Sequence, residues 1–350
     1  MKNSVRLPAF AKVNLCLYVL GRRPDGYHEL RTLFQSITLH DVLELSKLRA
    51  RGIELEVAPA SLPASDEQPV VQLSKTSADL PLKYRSISSR RAHESGHNPR
   101  PRRIPARPIP EEAPALPTDR DNLVWRAIEA MRRELNYRGG IHAHLTKQIP
   151  VARGLGGGSS DAAAAIIGML RLTGRKLPLA RAMEIGASLG ADVPFFLFGG
   201  RALGVSRGDE LYPLPDGPKY SVVVVSPNGI AVSTRDAYKW VSSELTKHES
   251  PRKISSFCAL CRSRQEASLS NDFERPVFRR YPRLGAIRRA LLQQGAAGAA
   301  LAGSGSAVFG LFRSPAQARR AAFGFPEDQV FVVETIARQD YAKLLRPRFV

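Results

Sequence analysis

The run Pro150-Val-Ala-Arg-Gly-Leu-Gly-Gly-Gly-Ser-Ser-Asp161 leads straight into four alanines, a glycine-rich loop opening an alanine-rich helix. Small residues let backbone N–H groups close around an anion, and a helix N-terminus adds its unpaired donors and dipole. The chemistry this suggests is phosphate binding. No Gly-Lys-Ser/Thr ending is present, which excludes a P-loop. Gly154-x-Gly156 with Gly158 resembles a dinucleotide turn, but the strand before it alternates apolar with polar, unlike a buried parallel strand. A second small-residue loop, Leu301-Ala-Gly-Ser-Gly-Ser-Ala307, offers Gly303 and Ser304 to phosphate oxygens, or is a plain hairpin. Gly190-Ala-Asp-Val-Pro194 sets one carboxylate, Asp192, between a helix end and an apolar run, where it serves either as a base or as a cap for backbone donors.

These groups need elements to hold them. Phe10 to Leu20 alternates, with Lys12, Asn14, Cys16 and Tyr18 on one face, and reads as a half-buried strand. Thr32–Leu39 and Val42–Val57 read as further strands, the second broken near Arg51-Gly52, in an antiparallel sheet. Helix starts at Asp119 and Asn122 predict a helix over Leu123–Leu135, followed by a strand over Ile141–Ile149. Further helices are expected over Ser160–Leu172, closed by Gly174, and from Pro178 to Gly190. Beyond Gly200 the order becomes strand Ser221–Val225, helix Arg283–Gln294, strand, glycine turn, strand Ala307–Phe312, helix Pro315–Ala322 and strand Gln329–Val333. This predicts a second α+β domain, with 1–210 and 211–350 as the two units.

Composition bounds the rest. The 350 residues are 43% hydrophobic and 24% charged, enough for a real core, and no apolar run is long enough to span a membrane. The N-terminus shows no apolar signal core, and three cysteines do not make a disulfide framework, so a cytoplasmic protein is expected. Cys258-Ala-Leu-Cys261 has half of a zinc-site spacing and no second half, so no metal site is assigned. Residues 59–117 hold 11 of the 26 prolines and read as a disordered insertion. The net charge of +20 is not theirs, because their nine Lys/Arg face six Asp/Glu. Such basicity suits nucleic acid, a membrane surface or a phosphorylated small molecule, and does not choose among them.

Pro8-Ala-Phe-Ala-Lys-Val-Asn14, Asp25-Gly-Tyr-His28, the loop 150–160, Gly190–Pro194 and Ala302–Ser306 stand in the order seen in GHMP small-molecule kinases, which the chain resembles everywhere outside 59–117. Asp25–His28 beside Lys12-Val-Asn14 resembles the branch whose acceptor is a cytidine diphosphate derivative of methylerythritol. The resemblance implies two α+β domains, an N-terminal one like ribosomal protein S5 domain 2 and a ferredoxin-like C-terminal one, with the site between them. It implies transfer of the γ-phosphoryl group of ATP to a tertiary hydroxyl, with Mg2+ held by the ATP phosphates. Asp192 is then the general base, Lys12 the residue holding it ionised, and Asn14 the one orienting the acceptor. Tyr27, His28, Thr234 and Tyr238 would recognise the cytosine end. Pro150, Val151, Ala152, Arg153, Gly154, Leu155, Gly156, Gly157, Gly158, Ser159 and Ser160 would hold ATP phosphates, with Gly303, Ser304, Lys147 and Asn122 near the nucleotide. Arg153 departs from the small residues common at its position, and either contacts phosphate or points outward. Another acceptor (homoserine, mevalonate or a sugar) and a basic RNA-binding protein are the competing readings; no nucleic acid or membrane partner is expected, and the substrate is a small molecule.

Overall fold

The computed structural model describes residues 3–59, 116–244, 257 and 269–350. The expected insertion, apart from its ends, and the Cys258/Cys261 pair lie outside the described residues.

The first sheet is built on a long hairpin, β1 (Ser4–Arg22) against β2 (His28–Leu48). The two strands expected over 32–39 and 42–57 are thus one strand plus the separate β3 (Ile53–Pro59), because β2 runs through His40 and Asp41 without a turn. β4 (Gly140–Lys147) pairs with the second half of β2, and β5 (Arg201–Ser206) with the first half; β6 (Glu210–Pro213) extends β5. The sheet is mostly antiparallel, but β3 runs parallel to β4.

Helix α1 (Leu123–Glu134) begins where Asn122 Oδ1 accepts the Val124 N–H at 2.9 Å. Helix α2 (Gly157–Thr173) starts earlier than its alanines suggest and is buried from Ser160 through Leu170. It has no polar face because α1, α3 (Leu179–Leu189) and the short α4 (Phe195–Phe198) cover what the sheet does not. At Gly168 a Cβ would lie 2.6 Å from Leu45 Cδ1, so the missing side chain sets how closely α2 approaches the sheet.

The second sheet joins β7 (Ser221–Ser226), β9 (Gly298–Leu301), β10 (Val308–Phe312) and β11 (Gln329–Glu334) in the order β11-β7-β10-β9, antiparallel throughout. With α5 (Thr234–Glu244), α6 (Glu274–Arg280), α7 (Pro282–Gln293) and α8 (Pro315–Ala322), this is the expected ferredoxin-like arrangement. The chain returns to the first sheet twice. β8 (Ser270–Asn271) pairs with Cys16 and Leu17, and α9 (Arg338–Leu345) buries Tyr341, whose hydroxyl donates to the Phe196 carbonyl at 2.7 Å.

One core cluster joins Ala11, Val13, Ile37 and Leu39 of the first sheet to Val222, Val224, Phe309 and Phe331 of the second. This corrects the half-buried reading of β1. Its polar-looking face is buried as well, and Lys12, Asn14 and Cys16 are all inside. A buried Lys and Asn must find partners within the protein.

Candidate active site

Register slips between Phe10 and Lys12 and between Asn14 and Cys16 bracket the part of β1 that carries these polar groups. Such irregularities re-aim side chains out of the regular pleat. Lys12 Nζ donates to Asn14 Oδ1 at 2.7 Å and lies 3.5 Å from Asp192 Oδ2. Asn14 Nδ2 donates to Thr32 Oγ1 at 2.7 Å, and that hydroxyl donates to the Cys16 carbonyl at 2.9 Å. With the Thr32 proton committed to a carbonyl, Thr32 can only accept from Asn14, so Asn14 must turn its oxygen toward Lys12. The amide assigned to the acceptor is thereby engaged in aiming the lysine. Asp192 follows α3 and keeps 33% of its side chain exposed, whereas Lys12 keeps 5%. The carboxylate thus opens outward while the cation beside it stays in place.

The two glycine loops meet over this pair. The Lys12 N–H donates to the Leu155 carbonyl at 3.0 Å, tying β1 to the first loop. Gly154 has φ +78°, and a Cβ there would sit 1.9 Å from the Ala302 carbonyl oxygen, so only glycine lets the loops touch. The Ala307 N–H donates to the Arg153 carbonyl at 3.3 Å, and Arg153 Nη1 donates to Ser306 Oγ at 2.5 Å. Asn271 holds the second loop from behind, its amide donating to the Leu301 and Gly303 carbonyls at 2.9 and 2.7 Å. Thr234, at the start of α5, shares a hydrogen bond of 3.1 Å with Ser304.

Of the residues expected to meet the cytosine end, His28 stacks on Tyr238 with ring centroids 4.8 Å apart and planes 24° from parallel. His28 Nε2 also bonds Ser242 Oγ at 2.6 Å. Burial, then the charge of Asp192, push the Tyr238 hydroxyl pKa up. Burial and Arg22 pull the His28 pKa below its ordinary value, favouring a neutral ring. Tyr27 stands apart from the pair, 56% exposed, with the Arg207 guanidinium 4.9 Å from its ring centroid.

Lys147 and Asn122, assigned to the nucleotide, are both committed to the protein. Lys147 Nζ donates to Asp161 Oδ2 at 2.7 Å and to Asp41, whose other oxygen accepts the N–H groups of Gln148 and Ile149. Burial works against the ammonium, but Asp161 and Asp41 outweigh it and hold its pKa above the usual lysine value. Asn122 caps α1 and donates to the Pro117 carbonyl at 2.7 Å.

The GHMP kinases N terminal domain matches residues 122–200, and the GHMP kinases C terminal domain residues 254–328. A 4-diphosphocytidyl-2-C-methyl-D-erythritol kinase of Solibacter usitatus is 39% identical, over 97% of this chain and 91% of the relative. One of Geobacter sulfurreducens is 37% identical, over 90% and 92%. The crystal structure of a 4-(cytidine 5'-diphospho)-2C-methyl-D-erythritol kinase superposes with a TM-score of 0.69 at 30% identity, covering 95% of this chain and 99% of that one. The chain belongs to the 4-diphosphocytidyl-2-C-methyl-D-erythritol kinase family.

In this GHMP kinase, sequence reasoning passed over Thr32, Asn271, Asp41 and Asp161. Thr32 and Asp41 sit in β2 among ordinary strand residues, and nothing local marks them. Asn271 precedes α6 like any helix-start residue, and its Oδ1 does accept the Phe273 N–H at 3.0 Å. Asp161 ends the glycine motif, and the signal that was available is the four alanines after it, which mark the helix it helps to open as one packed on all sides.

Proposed function

We propose that this chain catalyses the ATP-dependent phosphorylation of the tertiary 2-hydroxyl of 4-diphosphocytidyl-2-C-methyl-D-erythritol, a step of the non-mevalonate route to isoprenoid precursors. The single observation that carries the mechanism is the Lys12–Asp192 pair, 3.5 Å apart beneath two touching glycine loops. In this reading Asp192 takes the hydroxyl proton as the acceptor oxygen attacks the γ-phosphorus. The new O–P bond forms, the bond from phosphorus to the β,γ-bridging oxygen breaks, and ADP leaves. Lys12 offsets charge on the acceptor oxygen, while Asn14 and Thr32 hold the ammonium in line beside Asp192.

The loop 150–160, with Gly303 and Ser304, is the proposed phosphate site of ATP. Mg2+ would travel on those phosphates and supply charge neutralisation. The residue here that fits it is Ser160, whose hydroxyl is buried at the start of α2 without a hydrogen-bond partner among the described residues. The stacked His28–Tyr238 pair supports recognition of the cytosine ring, with Tyr27 the exposed aromatic free to close over it. Lys147 and Asn122 are proposed to shape the nucleotide side through the elements they fasten. Among the described residues no helix is long and apolar enough to cross a membrane.

The test is ADP release with Mg-ATP and 4-diphosphocytidyl-2-C-methyl-D-erythritol, beside homoserine, mevalonate and a no-acceptor control. Turnover confined to the cytidine acceptor and collapsing in Asp192→Asn is expected. Equal turnover of homoserine or mevalonate, or wild-type rates in Tyr238→Leu, would sink the acceptor assignment.

A further inference from the structure

The Arg153 side chain is half-buried where the two glycine loops meet. Its loop is forced into shape on either side, with Ala152 at φ +55° and Gly154 at φ +78°. Its guanidinium has one hydrogen-bond partner among the described residues, the neutral Ser306 hydroxyl, whose own proton goes to the Ile230 carbonyl at 2.7 Å. Other half-buried arginines are used differently. Arg171 donates to the Leu345 carbonyl, and Arg338 to the Gly199, Arg201 and Leu214 carbonyls. Arg207 pairs with Asp209. Arg153 alone in this set has neither a carbonyl nor a carboxylate, and burial pulls its pKa below the ordinary arginine value.

A guanidinium desolvated with most of its donors unused is poorly balanced unless an anion joins it. Its surroundings specify the anion. A Cβ on Gly303 would lie 3.5 Å from Lys12 Nζ, so Lys12 also borders the loop that Arg153 reaches at Ser306. Two cations bordering two loops of small residues fit a chain of phosphates, and the planar guanidinium fork matches phosphoryl oxygens in a way an ammonium does not.

We infer that Arg153 contacts the β- and γ-phosphoryl oxygens of ATP, with Ser306 holding the guanidinium ready in the free protein. The inference rests on reading the two loops as the ATP phosphate site. It makes Arg153 a charge-stabilising residue of the transfer, at a loop position where backbone alone would otherwise serve.

Nucleotide binding to the full chain, read by calorimetry without acceptor, tests it. Arg153→Ala should weaken ATP by about 10- to 100-fold and leave adenosine within about twofold, because the bonds lost on the ligand are charge-assisted ones to phosphate. Arg153→Lys should recover part of the loss. Ser306→Ala should cost ATP less than a tenth of the Arg153→Ala factor, since the guanidinium remains. Millimolar guanidinium should restore part of the turnover of Arg153→Ala, an effect that a purely architectural arginine would not show. Unchanged ATP affinity in Arg153→Ala, an equal loss for adenosine, or an equal loss in Ser306→Ala would overturn the inference. A protein that binds ATP as expected yet fails to phosphorylate the cytidine acceptor would overturn the acceptor assignment and leave Arg153 standing.

Discussion

Lys12 is buried and Lys147 nearly so, with 5% and 11% of their side chains exposed; both stand on strands of the same sheet, bonded to side-chain oxygens, and they are balanced in opposite ways. Lys12 has a neutral amide as its close partner and a half-open carboxylate at 3.5 Å. Lys147 is gripped by two carboxylates, Asp41 with its side chain fully buried and Asp161 nearly so. The first is left with charge to give to something that arrives. The second is already over-neutralised, and burial together with the charge of Asp41 pushes the Asp161 carboxyl well above its usual range. Residue type and burial are therefore not enough to identify a working lysine; the sign of the surrounding balance decides.

The comparison breaks most visibly in activity. Asp192→Asn and Lys12→Met should each lower kcat by roughly 10²- to 10⁴-fold with at most a small fall in Tm, as expected for groups that act on the moving proton and the developing charge. Steady-state kinetics beside thermal melts checks this, and a large fall in Tm would move Lys12 to the architectural class. Lys147→Met should do the reverse, costing about 3–5 kcal/mol in urea unfolding by leaving two carboxylates buried without their cation. Lys12→Met should cost less on the same scale, about 1–3 kcal/mol, because Asp192 is open to water and only the buried Asn14 Oδ1 is left without its donor.

A smaller effect sharpens the contrast through pH. Asp161 holds its proton in the folded protein above pH 3.8, where the unfolded chain releases it. The folded state then binds more protons, so stability falls as pH rises from about 4 toward the raised folded value. Asp161→Asn has no proton to lose and should flatten that slope in urea midpoints measured across pH. Lys147 contributes in another window: its raised pKa keeps its stabilisation intact below the ordinary lysine value, and that stabilisation is lost only as pH climbs beyond it. The smallest expected change is His28→Ala, which should raise KM for the cytidine acceptor by about 3- to 10-fold, the worth of one stacked ring, with kcat and KM for ATP unchanged.

Much of this molecule could be read along the chain. Helix starts and stops such as Asn122, Gly174, Pro178 and Gly190, the glycine loop running into α2, and the strand and helix order of the second half all stand close to where local rules put them. Asp192 was legible between a helix end and an apolar run, whereas Lys12 and Asn14 read only as the polar face of a half-buried strand until the family resemblance gave them roles. The partners of buried groups were less legible. Thr32 reaches Asn14 from the neighbouring strand, Asn271 reaches the second loop from a two-residue strand, and Asp41 reaches Lys147 from the middle of β2. Each of these contacts spans a separation that no local pattern encodes.

The amino-acid sequence by itself determined which backbone segments are helix, strand and glycine loop, since propensity, periodicity and positive φ act over a few residues. Only the tertiary structure decided that both faces of β1 are buried, that Lys12 is aimed by an amide while Lys147 is closed by two acids, and that Arg153 turns inward to Ser306. Burial and charge balance are sums over everything packed around a group, and those neighbours come from strands and loops brought together by two sheets sharing one core.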